Sequence, residues 1–101
     1  MEGSLFTIEF TERAYRHLEA FRRFDRNRIL DNIKEQLRYS PHEGTRNRKC
    51  LRQNPLADWE LRVGSYRVFY DIDETEQLVR ILAIGVKERD KLIIEDEEVT
   101  L

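Results

Sequence analysis

Residues 59–89, WELRVGSYRVFYDIDETEQLVRILAIGVKER, predict three antiparallel strands by their alternation and turns. Gly64-Ser65 suits a tight hairpin turn, and the acidic link at residues 73–77 suits a second turn. Because successive side chains point to opposite faces of a strand, Arg67 stands in the middle of the second strand rather than at a frayed end. A cation there costs solvation free energy unless an anion or a water-filled concavity compensates it, so Arg67 indicates a functional site. A structural pair between Arg67 and a neighbouring carboxylate is the open alternative.

The residues before this stretch predict one strand and two helices. Ser4 to Phe10 alternates as a strand with one buried face does, and Thr11 is a good N-cap for the helix that follows it. Asp25 or Asn27 can cap a second helix, which Ser40-Pro41 ends. At helical spacing the two helices carry apolar residues that we assign to the core: Ala14, Tyr15, Leu18, Phe21, Phe24, Ile29, Leu30, Ile33 and Leu37.

The remaining segments complete an α+β fold. Residues 42–48 are typical of a loop, and Cys50-Leu51 can start a short strand. The tail from Lys91 is ambiguous between a final pair of strands and a short helix. The order is therefore strand, helix, helix, then a mostly antiparallel sheet of three or four strands, in a single domain spanning residues 1–101. Two consecutive helices cover one face of such a sheet and leave the other partly open.

The composition argues against a disulfide-rich, a metal-binding and a membrane-spanning protein. A chain of 101 residues, 40% of them hydrophobic, suits one domain with one core. Cys50 is the single cysteine, and no Cys/His group has metal-ligand spacing, so we expect neither a disulfide, nor a metal, nor another cofactor. The N-terminus lacks the pattern of a signal peptide, and no segment approaches the roughly 20 apolar residues that span a bilayer. We expect a cytoplasmic protein without a membrane partner.

Charge is distributed unevenly along the chain. The net charge is −2, yet residues 13–52 carry twelve bases and five acids, whereas residues 71–101 carry four bases and ten acids. Clustered Arg and Lys attract polyanions whatever the total charge, because phosphate contacts are local. For the arginines of the helices, a solvated surface is the simpler interpretation.

Three aromatic or imidazole side chains have competing interpretations. His42 could act as an acid or base, although a lone loop histidine is more often incidental, and His17 on a helix is a weaker candidate. Trp59 could stack on a base, but its alternation with Leu61 and Val63 favours a place in the core.

The chain resembles the RelE/ParE superfamily of small toxins from bacterial toxin–antitoxin pairs. The resemblance covers most of the chain: an opening strand, a helical hairpin, the basic segment RKCLR, the hairpin LRVGSYRVFYDID and the closing AIGVKERDK. Its strongest parts are GSYRVFY and IGVKER, which are similar to a G-x-YR-aliphatic-x-Y strand and a G-x-[KR]-x-R run in members of the superfamily.

This resemblance implies a cytoplasmic toxin that a partner antitoxin holds inactive. The superfamily contains both ribosome-dependent mRNA endonucleases and inhibitors of DNA gyrase, and the fold does not choose between them. We predict an mRNA endonuclease that inhibits translation, with the ribosome and mRNA as partners. An inhibitor of DNA gyrase and a degenerate, non-toxic relative are the alternatives, and a homodimer is left open.

The resemblance also implies roles for individual residues. Arg67 matches the mid-strand arginine of the superfamily and would bind the scissile phosphate, while Lys87 and Arg89 would stabilise charge in the transition state. Glu60 would be the general base, with a surface pair to Arg62 as its alternative. Arg62 is a further candidate for a phosphate contact. The basic loop that would grip RNA backbone, or in a toxin without nuclease activity seat an acidic antitoxin, contains Arg46, Arg48, Lys49 and Arg52.

The chain departs from the superfamily pattern at two places. Asp58 and Glu60 stand near positions where many nucleases of the superfamily carry lysines. Ile93 stands where many members have a catalytic tyrosine. The usual set of nuclease residues is therefore incomplete.

Overall fold

Two helices pack on one face of a seven-stranded sheet in the part of the chain that the computed structural model describes, residues 5–101. The strand expected from Ser4 is present from Thr7 onward, and Ser4 itself lies outside the described residues. In chain order the elements are β1 (Thr7–Phe10), α1 (Glu12–Ala20), α2 (Arg23–Leu37), β2 (Arg48–Cys50), β3 (Trp59–Val63), β4 (Tyr66–Asp73), β5 (Leu78–Glu88), β6 (Lys91–Ile94) and β7 (Glu97–Val99).

The centre of the sheet is β5. Antiparallel pairing gives the order β2-β3-β4-β5-β6-β7, and β1 adds to β5 in parallel, with Thr7 opposite Leu78. The three strands predicted from residues 59–89 are β3, β4 and β5, and the α+β class with a mostly antiparallel sheet is confirmed. The expected number of three or four strands is too small, because β1, β2 and the tail also pair and bring the sheet to seven strands. The ambiguous tail forms strands, and β6 and β7 make an antiparallel pair that we call the C-terminal hairpin.

Thr11 starts α1 as the sequence predicts. Its hydroxyl accepts a hydrogen bond from the Ala14 N–H at 3.1 Å, which satisfies one of the free donors of the first turn. The expected caps of α2 are wrong, because α2 begins at Arg23, so that Asp25 lies in its first turn and Asn27 farther inside the helix. The reason is the extended backbone at Phe21 and Arg22, which ends α1 while the Phe21 ring packs 4.9 Å from that of Tyr66.

One part of the predicted helical core is also wrong. Tyr15 is 52% exposed and Phe24 is 74% exposed, so neither side chain widens the buried stripe. The extended backbone at Phe21 and Arg22 separates the helices, so Phe24 belongs to α2 and falls outside the periodicity of α1. The remaining apolar residues of the helices are buried or partly buried against β3, β4 and β5.

The two faces of the sheet carry different cores. The core on the helix side contains Leu61, Val68 and Tyr70, and Trp59 packs against it with its ring stacked 6.0 Å from that of Tyr70, as predicted. The Tyr70 hydroxyl donates to the Pro41 carbonyl at 3.0 Å, which ties β4 to the segment after α2, and burial raises the pKa of this tyrosine. A smaller core lies on the opposite, open face, where Phe69 meets the C-terminal hairpin.

Candidate functional site

A concavity of about 680 Å³ lies on the open face of the sheet, and we call it the open-face concavity. Its volume falls within the roughly 300–1,000 Å³ of sites that hold small ligands. The C-terminal hairpin forms one wall, and the segment around β2 and β3 forms the other. The lining residues are Lys49, Leu51, Arg52, Asn54, Glu60, Lys87, Asp90, Lys91, Leu92, Glu98, Val99, Thr100 and Leu101.

Four of the predicted site residues meet in this concavity. Lys49 and Arg52 approach from the β2 side, Glu60 rises from β3, and Lys87 comes from the end of β5. These residues are far apart in sequence, and antiparallel pairing of β2 with β3 and of β4 with both β3 and β5 brings them to one face. Converging cations can bind an anion and stabilise charge that develops on it.

Arg67 is buried and paired, which corrects the expectation of an exposed guanidinium free to hold an anion. The residue is 9% exposed, and its Nε lies 3.4 Å from Glu60 Oε2. Its Nη1 donates to the carbonyl oxygens of Gly64 at 2.8 Å and Tyr66 at 2.9 Å. The guanidinium therefore contacts both the turn between β3 and β4 and the Glu60 carboxylate. Of the two interpretations of Arg67, the structural pair with a neighbouring carboxylate is the one that is observed.

The pair between Arg67 and Glu60 is mostly shielded from water. The two side chains are 11% and 17% exposed, and burial lowers the pKa of Arg67 while the Glu60 carboxylate opposes that shift. Removal of one partner from such a pair leaves an uncompensated charge and typically costs about 3–5 kcal/mol. Arg67 is thus the ion-pair partner of Glu60, and its contacts with backbone oxygens leave it poorly arranged to bind phosphate through two hydrogen bonds.

The other predicted cations lie outside the lining of the concavity. Arg62 is exposed and stands opposite Arg67 in the β3–β4 register, so it shares the open face at its margin. Arg89 lies in the turn between β5 and β6 with a positive φ of 52°, and Arg46 is exposed in the loop before β2. Each can add to the local positive potential, but none lines the concavity itself.

The Arg48 side chain lies on the helix side of the sheet, where it contacts α2. Its Nη1 donates to the carbonyl oxygen of Gln36 in the last turn of α2, where unpaired carbonyl groups favour a cation. Its Nε is buried. A contact with RNA backbone would require this guanidinium to leave the helix, so the geometry does not support the predicted RNA-binding role of Arg48.

Lys91 is a lining residue that the sequence analysis missed. It starts β6 and pairs with Glu88 across the two-residue turn from β5. It borders the concavity from the first position of β6, although alternation along β6 puts it on the same side as Ile93 and not on that of Leu92. The tail was the one segment whose secondary structure the sequence left ambiguous. The run KERDK at residues 87–91, which carries bases on both sides of the turn from β5 to β6, was the available signal.

Three further side chains lie away from the open-face concavity. Ile93 borders a second concavity, on the helix side, because alternation along β6 turns it away from Leu92. His42 is exposed, with its ring 6.2 Å from that of Phe6. His17 is buried on α1 and contacts Glu95. A tyrosine at position 93 would therefore also face the helix side.

Within residues 5–101, neither helix is long and apolar enough to cross a membrane. Over the same range, no three His, Cys, Asp or Glu side chains group as ligands of a metal ion would.

Residues 8–91 match the sequence model of one family, described as the ParE toxin of the type II toxin–antitoxin system parDE. The match includes β1 from its second residue, every element from α1 to β5, and all four predicted residues that line the concavity. No curated protein sequence matches the chain significantly.

Solved structures of toxin–antitoxin complexes contain chains with a similar fold. A chain of the complex RelBE2 from Mycobacterium tuberculosis is 25% identical, with a TM-score of 0.73 and coverage of 86% of this chain and 98% of the other. A chain of the intact RelBE complex from E. coli is 26% identical, with a TM-score of 0.66 and coverage of 83% and 99%. The archaeal RelE–RelB complex from Pyrococcus horikoshii gives 20% identity, a TM-score of 0.67 and coverage of 84% and 98%, which supports the fold alone.

Proposed function

The chain belongs to the ParE toxin family of type II toxin–antitoxin systems, within the RelE/ParE superfamily, and on this premise we propose that it cleaves mRNA at the ribosome. One observation carries the proposal: a carboxylate paired with Arg67 stands in a concavity whose lining contains four cations and two further acids, Asp90 and Glu98. Glu60 is the carboxylate, and the cations are Lys49, Arg52, Lys87 and Lys91.

The chemistry needs a base, an acid and positive charge. In the proposed reaction the ribose 2′-oxygen attacks the adjacent phosphorus, the bond from phosphorus to the 5′-oxygen breaks, and a cyclic phosphate and a 5′-hydroxyl result. Glu60 takes the proton from the 2′-hydroxyl, and the ammonium group of Lys87 or Lys91 supplies a proton to the leaving oxygen. The surrounding cations stabilise the negative charge that builds on the phosphoryl oxygens.

This arrangement assigns Arg67 a different role from the one expected. Arg67 positions Glu60 and neutralises it when no substrate is bound, and phosphate binding falls to Lys87, Lys91 and Arg52. A general base within hydrogen-bond reach of a 2′-hydroxyl must be held firmly, since small displacements of a reacting group are costly. Arg67→Ala would confound loss of this role with loss of stability, so it is a poor test of catalysis.

The proposed partner that restrains the activity is a cognate antitoxin. The similar chains come from toxin–antitoxin complexes, and this chain shares their fold over most of its length. The cations of the open-face concavity would attract an acidic segment of such a partner as they attract phosphate.

The Lys87→Gln variant tests the proposal at the ribosome. Wild-type protein added to translating ribosomes should yield cleaved message, and Lys87→Gln should slow cleavage by about 10²-fold, as loss of one stabilising donor does in other enzymes. Primer extension on the message measures both. Lys34→Gln, on the exposed side of α2, is the matched control and should cleave as wild type does. Intact message with the wild-type protein would refute the nuclease proposal.

A second candidate is inhibition of DNA gyrase without catalysis. Two observations favour it: the matching family model is that of ParE toxins, and Ile93 replaces the tyrosine of many nucleases while facing the helix side. A supercoiling assay separates the candidates, because inhibition of gyrase by a protein that leaves message intact would replace the first proposal with the second.

A further inference from the structure

The tip of the C-terminal hairpin is fastened to α1 by one side chain. Glu95 lies in the turn between β6 and β7, and its Oε2 is 2.7 Å from His17 Nε2 and 3.1 Å from Arg13 Nε. Both partners belong to α1, which packs on the helix side of the sheet. Glu95 therefore connects the hairpin to the layer opposite the open face.

His17 is fixed in this contact by a second hydrogen bond. The residue is 6% exposed, and its Nδ1 accepts from the backbone N–H of Ile84 in β5 at 3.1 Å. Because Nδ1 accepts, the ring proton of the neutral imidazole lies on Nε2 and is donated to Glu95. The hydrogen bond from His17 and then that from Arg13 lower the pKa of Glu95, so its carboxylate is charged at neutral pH. One imidazole thus joins β5, α1 and the hairpin.

Apart from Glu95, a short ladder to β5 and the apolar core on the open face attach the hairpin. It pairs with β5 through three residue pairs only, between Val86 and Ile93, Lys87 and Leu92, and Glu88 and Lys91, and β7 pairs with β6. Leu92, Ile94 and Val99 add apolar contacts on the open face. A three-pair ladder at the end of a sheet is expected to open locally at a lower free energy than the central strands.

The same hairpin forms a wall of the open-face concavity. Lys91, Leu92, Glu98 and Val99 all line it. A change in the position of the hairpin therefore changes the distance between Lys91 on this wall and Glu60 on β3.

We propose that Glu95 is a positioning residue, which holds the C-terminal hairpin against α1 and so fixes the wall of the open-face concavity. Its effect on cleavage rests on the proposed function, whereas its effect on the hairpin does not. Glu95 reaches no reacting group itself, because its side chain is on the helix side, and it acts through Lys91.

The neighbouring turn residue supplies a matched control. Glu95 and Asp96 have φ values of 53° and 66°, a conformation that glycine adopts without strain. Glu95→Gly thus removes the carboxylate while the turn is kept, and Asp96→Gly makes the same backbone change without touching the contact with His17. Glu95→Gln is a conservative variant that can still accept from His17.

Amide hydrogen exchange of the full-length chain tests the proposal. In Glu95→Gly, residues 91–99 should exchange about threefold to tenfold faster than in wild type, because the hydrogen bonds of a carboxylate that is 52% exposed are lost. Asp96→Gly should exchange as wild type does, and Glu95→Gln should recover part of the protection. Equal exchange in Glu95→Gly and Asp96→Gly would overturn the proposal, whatever the activity.

Cleavage kinetics separate the positioning role from the nuclease proposal. With an active wild type, Glu95→Gly should lower kcat more than it raises KM, because the wall contributes to the reacting geometry, and Glu95→Gln should rescue part of kcat. Faster exchange with unchanged kcat would overturn the positioning role. If wild-type protein leaves message intact, the nuclease proposal is refuted. Faster exchange in Glu95→Gly would then still support the role of Glu95 in holding the hairpin against α1.

Discussion

Glu60→Gln should reduce message cleavage by about 10²–10⁴-fold, the usual contribution of a general base. Glutamine has the same shape as glutamate but cannot take the proton from a 2′-hydroxyl. Glu60 is 17% exposed at the floor of the open-face concavity, so the substitution alters the group that is proposed to meet the ribose. Cleavage at the ribosome under single-turnover conditions measures the rate of the chemical step.

The control for this variant must separate lost chemistry from lost stability. Glu60→Gln leaves Arg67 with a neutral neighbour, so the free energy of unfolding should be measured by urea denaturation alongside the activity. Glu35→Gln, on the exposed side of α2, changes a carboxylate outside the concavity and should leave cleavage unchanged. A folded Glu60→Gln protein that cleaves at the wild-type rate would remove Glu60 from the mechanism.

Gly85→Val should displace the C-terminal hairpin and lower the free energy of unfolding by about 1–3 kcal/mol or more, the typical cost of overpacking. A Cβ at Gly85 would lie 2.7 Å from the Ile93 carbonyl oxygen and 2.7 Å from Ile94 Cγ1. The first of these atoms is backbone, so the conflict cannot be relieved by a rotamer change. Urea denaturation measures the loss, and hydrogen exchange shows whether it begins in residues 91–99.

Gly44 offers the comparison for Gly85. A Cβ at Gly44 meets only the Arg48 carbonyl oxygen, at 3.8 Å, which is an ordinary contact. Gly44→Ala should therefore change stability little, or raise it slightly by restricting the unfolded chain. Equal destabilisation by the Gly85 and Gly44 variants would show that the close approach of the hairpin to β5 is not what requires glycine at position 85.

The central strands could be predicted because their signals are local and agree with one another. Alternation, a Gly-Ser turn and an acidic link all place β3, β4 and β5, and the cap at Thr11 needs only its own first turn. The placement of Glu60 and Arg67 on one face follows from the same alternation. These features depend on residues close together in sequence.

The features that could not be predicted depend on side-chain directions and on distant contacts. Alternation puts Arg67 on the open face but does not say that its guanidinium turns back to Gly64 and Glu60. Helical spacing includes Phe24, yet the extended backbone at Phe21 and Arg22 ends α1 before it, and the Phe24 ring is exposed on α2. The wall containing Lys91 exists because the hairpin folds against a glycine of β5, which no short pattern reveals.

The parallel pairing of β1 with β5 bears on the order in which the molecule is completed during synthesis. Thr7 pairs with Leu78, so β1 waits for a partner until most of the chain has left the ribosome. Contacts between residues so distant in sequence form late and slowly. The hairpin that walls the concavity comes later still, at Lys91 and beyond. During synthesis, Glu60 and three of the four cations that line the concavity are therefore made before the C-terminal hairpin, which completes the wall around them.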